Sequence, residues 1–173
     1  MASLAASLRS PGEQIPSVED GFSLPLKVAG MSGAAWGLVV WVQLTVLGLL
    51  GLAHLPALVG LGGALGLVGP AVAAATVHPL VYLFGGGRYE LTYKVFGLYA
   101  PVGVLGGVLG LNLLAFPALF ALEVRGLKSV HDLSWVEAAA AMSAPAVVLS
   151  LVGVAVGLAS ISAGIVAIPS LPG

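Results

Sequence analysis

A bundle of membrane-spanning α-helices is the fold class that this sequence predicts, and three observations predict it. Only 8% of the residues are charged and 59% are hydrophobic, where ordinary globular domains carry about 25% charged residues. Mean hydropathy is +1.10, and a soluble chain of 173 residues has no core large enough to hide that much apolar surface. Sixty residues, Val28 to Gly87, pass without one Asp, Glu, Lys or Arg. A crossing takes about 20 apolar residues for roughly 30 Å of hydrocarbon, so that run is two crossings and a turn.

Net charge is -1, and no basic cluster points to nucleic acid. The absence of cysteine removes disulfides, thiolate catalysis and Cys-ligated metal. Residues 1–27 form a polar cytoplasmic tail with neither the basic start nor the apolar run of a signal peptide. Leu4 and Leu8 suit one face of a short surface helix, but a loose tail is the expectation.

The first two spans are expected over about 28–53 and 57–83. Their turn falls at His54-Leu55-Pro56, where proline opens a helix and the residue before it leaves helical geometry. Of the two tryptophans, Trp36 fits an interfacial anchor better than Trp41. Small residues recur four apart at Gly33 and Gly37, Gly62 and Gly66, Gly103 and Gly107, Gly106 and Gly110, and Gly153 and Gly157. In lipid this spacing lets helix backbones approach closely, and packing within the bundle is favoured over a dedicated dimer face. His78, followed by Pro79, is the one ionisable group inside span two. An intramembrane ionisable residue is a functional candidate by default, yet a neutral imidazole beside the carbonyl freed by Pro79 is also explained structurally.

The stretch Leu83 to Pro101 is the hinge of the chain. Gly85, Gly86 and Gly87 end span two by accepting left-handed dihedrals, and they lack the Gly-Lys-Ser/Thr ending of a phosphate loop. Arg88, Glu90 and Lys94 are expected at the membrane surface, with Tyr89, Tyr93 and Tyr99 as interfacial anchors. Glu90 and Lys94, four apart, suggest a helix from about Tyr89, with an exposed ion pair worth tenths of a kcal/mol.

The apolar run Val95 to Leu122 fits either one tilted helix or a hairpin of two short ones over about 92–109 and 111–124. Charge favours the hairpin. Five crossings put all six basic residues on one side, whereas a single helix gives four crossings and splits them. The positive-inside rule then makes the amino terminus cytoplasmic and the carboxyl terminus external. Glu123 to Glu137 is the second cytoplasmic patch, with Ser134 and Glu137 at capping-box spacing. His131, Asp132 and Glu137 lack the spacing and the third nitrogen or sulfur donor of a metal site, and read as a solvated connector. The last span covers about 138–168, with a short external tail over 170–173.

Leu83-Phe84-Gly85-Gly86 leading into Tyr89, Thr92, Val95 and Tyr99, then Pro101, then Gly126-Leu127-Lys128 with His131-Asp132-Leu133-Ser134, resembles the Yip-type membrane domain, a family named for interaction with Ypt/Rab GTPases. The likeness covers about Phe22 to Ile168. It implies a five-span bundle with a cytoplasmic amino terminus, and structural roles for Gly85, Gly86, Gly87, Thr92, Tyr99, Pro101 and Gly126. Eukaryotic members act in vesicle traffic. This chain lacks their long acidic and aromatic cytoplasmic region, which counts against a GTPase partner, and its Ala, Gly, Val and Leu-rich makeup suggests a prokaryotic plasma membrane.

The expected function is a non-catalytic scaffold presenting Arg88, Tyr89, Glu90, Lys94, Glu123, Arg125, Lys128 and His131 to a cytoplasmic or membrane-protein partner or to lipid headgroups. A small permease is the alternative, with His78 and Asn112, joined by Gln43 and Thr45, as polar groups at depth. No pair of Asp, no HExxH and no Ser-His constellation of recognisable spacing occurs in the spans, so neither catalysis nor a cofactor is expected.

Overall fold

The structure is a computed structural model that describes residues 9–18, 21–145 and 147. Its helices are α1 (Pro11–Gln14), α2 (Ser23–Val46), α3 (Leu55–Leu83), α4 (Tyr89–Val104) and α5 (Asn112–His131), followed by α6 over 135–145. No strand occurs among the described residues, so the chain is all-α. The span expected over 138–168 lies mostly outside the described residues.

Glycine decides where α2 stops. Gly48 takes φ +73°, its N–H bonds the Thr45 carbonyl and the Leu49 N–H bonds the Leu44 carbonyl, a Schellman ending that a side chain at residue 48 would strain. The helix therefore runs from Ser23 to Val46, ahead of the expected 28–53. The shift exchanges the roles of the tryptophans. Trp41 reaches the turn, its Nε1 donating to the Gly51 carbonyl at 3.2 Å, while Trp36 is half-buried against Gly107 of the 105–107 turn. Pro56 occupies the first turn of α3 as expected. The same Schellman geometry closes α3, with Gly85 at φ +92° and the Gly86 N–H on the Val81 carbonyl at 2.8 Å.

α2 and α3 pack backbone to backbone. A β-carbon on Gly33 would overlap the Gly62 carbonyl, and one on Gly37 the Leu58 carbonyl. The four-residue spacings of Gly33 with Gly37 and of Gly62 with Gly66 thus serve packing between α2 and α3, since nothing larger lets two helices come this close; Gly153 and Gly157 lie outside the described residues.

The run 95–122 is broken. α4 ends at Val104, a 3-10 turn spans Leu105–Gly107, Gly110 sits at φ +88°, and α5 begins at Asn112. Proline at 101 removes an N–H from the last turn of α4. Gln43 on α2 holds the break, donating from Nε2 to the Gly107 carbonyl and accepting the Leu109 N–H at Oε1. Orphan backbone groups of a turn placed among apolar helices are thereby satisfied.

α4 is the centre of the assembly. Every residue from Thr92 to Tyr99 is buried, because α2 and α3 cover one side and α5 the other. Gly126 is the contact point with α5, where a β-carbon would stand 2.9 Å from Tyr99 Cε2 and 2.9 Å from Val95 Cγ1. Successive helices alternate in direction. One end collects the start of α2, the 84–88 loop and the 132–134 turn; the other collects residues 47–54 and 105–111. All charged residues described belong to the first end.

The amino-terminal segment corrects the expectation of a loose tail. Ile15 and Val18 join the core with exposures of 0% and 7%, and Gly12 abuts Ser129 of α5. Pro11, Ile15 and Val18 supply the apolar contacts that a composition dominated by Ser, Glu and Pro obscures.

Two helices, Ser23–Val46 and Leu52–Leu83 with its 3-10 lead-in, are long and apolar enough to cross a membrane by length and composition. Their outer faces are apolar and uncovered, as at Met31, Val46, Leu61, Leu65 and Val72. α4, with 16 residues, rises about 24 Å. α5 has 20 residues but carries Glu123, Arg125 and Lys128 in its second half.

Candidate functional site

The charged end encloses a polar seam joining three helices. His78 near the end of α3, Thr92 in the first turn of α4 and His131 at the last residue of α5 meet in line. Thr92 Oγ1 lies 2.9 Å from His78 Nδ1 and 2.9 Å from His131 Nε2. The Gly87 N–H donates to His131 Nδ1 at 3.3 Å.

Hydrogen-bond chemistry then assigns the protons. Because a backbone N–H occupies His131 Nδ1, the ring carries its proton on Nε2 and donates to Thr92 Oγ1. The hydroxyl has one proton left to give, and it goes to His78 Nδ1. Each neutral imidazole therefore has a defined tautomer, and one hydroxyl serves both. The Tyr89 ring stands edge-on to His78 with centroids 5.3 Å apart, and its hydroxyl donates to the Ala71 carbonyl at 3.2 Å. Tyr89 thus leans along α3 and pairs with a helix carbonyl instead of a headgroup.

Two of the residues expected to face a partner are enclosed. His131 is 8% exposed, since the Schellman-like turn after it, with Asp132 left-handed at φ 57°, folds Leu133 and Ala138 back over the end of α5. Burial, with a smaller push from the neighbouring His78 ring, lowers its pKa to about 4. Lys94 is 2% exposed; its ammonium bonds the Val18 carbonyl at 2.7 Å and Glu90 Oε1 at 2.6 Å. The expected surface pair Glu90–Lys94 is therefore a pin between α4 and the amino-terminal segment. Arg88 adds a 2.6 Å contact to Glu90 Oε2 from a side chain 72% exposed, and Lys94, then Arg88, hold the Glu90 carboxyl below its ordinary range.

The remaining basic groups do face outward. Arg125 is exposed and donates to the Arg9 carbonyl at 2.9 Å, and the Lys128 ammonium stands 5.6 Å over the Trp135 ring. Glu123 is half-buried. Ser134 and Glu137 form the expected capping box, with bonds of 2.8 and 3.2 Å, and this holds the Glu137 carboxyl low.

The polar groups considered for a permease are dispersed. His78 belongs to the seam, Gln43 pins the opposite turn, and Asn112 opens α5, where its Oδ1 accepts the Leu113 N–H. Asn112 and His131 stand at opposite ends of a 20-residue helix, about 29 Å apart. Among the described residues no group of three His, Asp or Glu could hold a metal ion. Nothing in the sequence spacing announces the seam, because its members are 14 and 39 residues apart.

Acid should loosen this end. The folded His131 binds its proton only near pH 4, whereas the unfolded ring does so near 6.5, so at this ring the unfolded state holds the extra proton between these values and its contribution to stability rises with pH there. Through this ring alone, stability is full above about pH 6.5 and is withdrawn as the pH falls toward 4. Unfolding in detergent against pH measures it as a difference: His131→Gln should lose less stability than the unaltered chain on going from pH 6.5 to 4, and parallel curves would remove His131 as the group responsible.

Comparison with protein families, with curated proteins and with solved structures finds no match to this chain.

Proposed function

We propose that this chain is a Yip-like, non-catalytic scaffold that crosses the plasma membrane of a prokaryote five times and presents its charged end in the cytoplasm. The observation carrying the reading is the segregation of every described charged residue to one end of the bundle. Such an arrangement is what the positive-inside rule produces when an even number of crossings separates the three basic segments.

α2, α3, α4 and α5 are the first four crossings in this reading, and the fifth begins with α6. The short α4 is enclosed by its neighbours, so it need not match the bilayer alone. Fixed partners at Lys94 and His131 leave Arg9, Lys27, Arg88, Arg125 and Lys128 as the groups offered to a cytoplasmic partner or to anionic headgroups. Burial of the seam among three helices favours a rigid platform over a moving carrier.

Single cysteines test the reading in two steps. With an impermeant maleimide, residues 88 and 128 should react only from the cytoplasmic side and residues 51 and 110 only from outside. Photo-cross-linkers on the same cysteines at 88 and 128 should then capture a reproducible protein or lipid species. Labelling of 110 and 128 from one side would remove the hairpin crossing, and random capture would remove the scaffold role.

A further inference from the structure

We propose that the groove along α5 beside Trp135 holds one anionic diacyl phospholipid, with an acyl chain against α5 and the phosphate at Arg125 and Lys128. The inference rests on the membrane orientation given above and names one ligand of the cytoplasmic end.

The groove has a volume of about 670 Å³ and an almost wholly apolar lining. Ala118, Ala121 and Leu122 form its length, and Arg125 and Trp135 stand where it reaches the charged end. Small side chains at 118 and 121 leave a channel along the helix surface where larger residues would fill it. From Ala118 to Arg125 the helix rises about 10 Å, the length of roughly eight methylenes, so the upper part of an acyl chain fits beneath a headgroup at residue 125.

Charge at that end is complementary to a phosphodiester. One Arg125 nitrogen bonds the Arg9 carbonyl, which fixes the side chain at the groove and leaves further N–H donors in the guanidinium fork. Lys128, one turn later on α5, sits over Trp135, a second cation held by the residue that closes the groove. Trp135 is 56% exposed and suits the interfacial level. Glu137 is held by Ser134, Glu123 on the same helix is half-buried, and among the described residues the ion pairs are those of Arg88 and Lys94 with Glu90, so Arg125 and Lys128 are not neutralised by a carboxylate. A zwitterionic lipid fits the same channel but gains less at its head, where each basic group contributes about 1 kcal/mol toward an anionic surface.

Native mass spectrometry of the full chain in detergent, titrated with dioleoyl phosphatidylglycerol or with dioleoyl phosphatidylcholine, reads the occupancy. One phosphatidylglycerol should bind about tenfold more tightly than phosphatidylcholine, the ratio that one to two basic contacts give. Arg125→Gln with Lys128→Gln should bring the two lipids to equal affinity, and Ala121→Trp should lower the occupancy of both. Lys27→Gln with Arg88→Gln, at the same end but away from the groove, should leave the preference intact. Equal binding of the two lipids by the unaltered protein, or loss of preference in the Lys27/Arg88 variant, overturns the proposal. Should Ala121→Trp fail to fold, the two charge variants still decide it. Cysteine labelling separates the two readings: correct sidedness without lipid preference defeats this inference alone, and reversed sidedness at residue 128 defeats the orientation beneath it.

Discussion

Gly62→Val should separate α2 from α3 and cost about 3 kcal/mol or more, at the upper end of what overpacking does in a close-packed interior. A β-carbon at Gly62 would overlap the Gly33 carbonyl and stand 3.0 Å from the Gly37 Cα and 3.0 Å from its nitrogen. These are backbone atoms, so no rotamer change relieves the contact and a whole helix must move. Movement there also loosens Gly33 against Gly66, and in lipid no hydrophobic gain offsets the lost van der Waals contact. Gly69→Ala is the control, because nothing lies within 4 Å of its added carbon and alanine in a helix is favoured over glycine by about 1 kcal/mol. Unfolding in mixed micelles, followed by helical circular dichroism, should show an early transition for Gly62→Val and a normal or later one for Gly69→Ala. Equal midpoints for Gly62→Val and the unaltered chain would mean the two helices are not packed through glycine.

Thr92→Val should cost about 2 to 6 kcal/mol, although the side chain keeps its shape. The hydroxyl is fully buried and is the shared partner of His78 and His131. Its removal leaves two imidazole nitrogens unsatisfied, at about 1 to 3 kcal/mol each. Thr92→Ser retains the hydroxyl and should recover most of the loss, which a purely steric role for the methyl group does not predict. Thermal unfolding in detergent at pH 7.5, where both rings are neutral, compares the three proteins directly. If valine is tolerated as well as serine, the seam is not a structural polar network and its proton assignment fails with it.

Helix positions were legible wherever the physics is local. Proline at 56, the glycine run at 85–87 and the Ser134–Glu137 cap all act through neighbouring backbone, and a linear sequence displays them; the break within 95–122 was left open by the local sequence and preferred only from the order of charges along the whole chain. Gly48 is as local as Gly85, yet an isolated glycine among leucines carries less signal than three in a row, and the end of α2 shifted with it. The candidate site was legible residue by residue and not as a site. Lys94 reads as a surface charge because only the folded amino-terminal segment brings the Val18 carbonyl over it. His131 reads as solvated because its sequence neighbours are polar, while its spatial neighbours come from α3, the 84–88 loop and the residues after Asp132.

Composition and charge order alone determined that this is a helical chain with apolar runs long enough to cross a membrane and its ions confined to three short segments. Those properties depend on side-chain transfer energies and on position along the chain, and no contact is needed to read them. Tertiary structure alone decided which ions stay in contact with solvent and which are enclosed, and that His78, Thr92 and His131 share a single hydroxyl. Hydrogen bonds act only across about 3 Å, and residues separated by several turns of chain come within that distance only when helices pack.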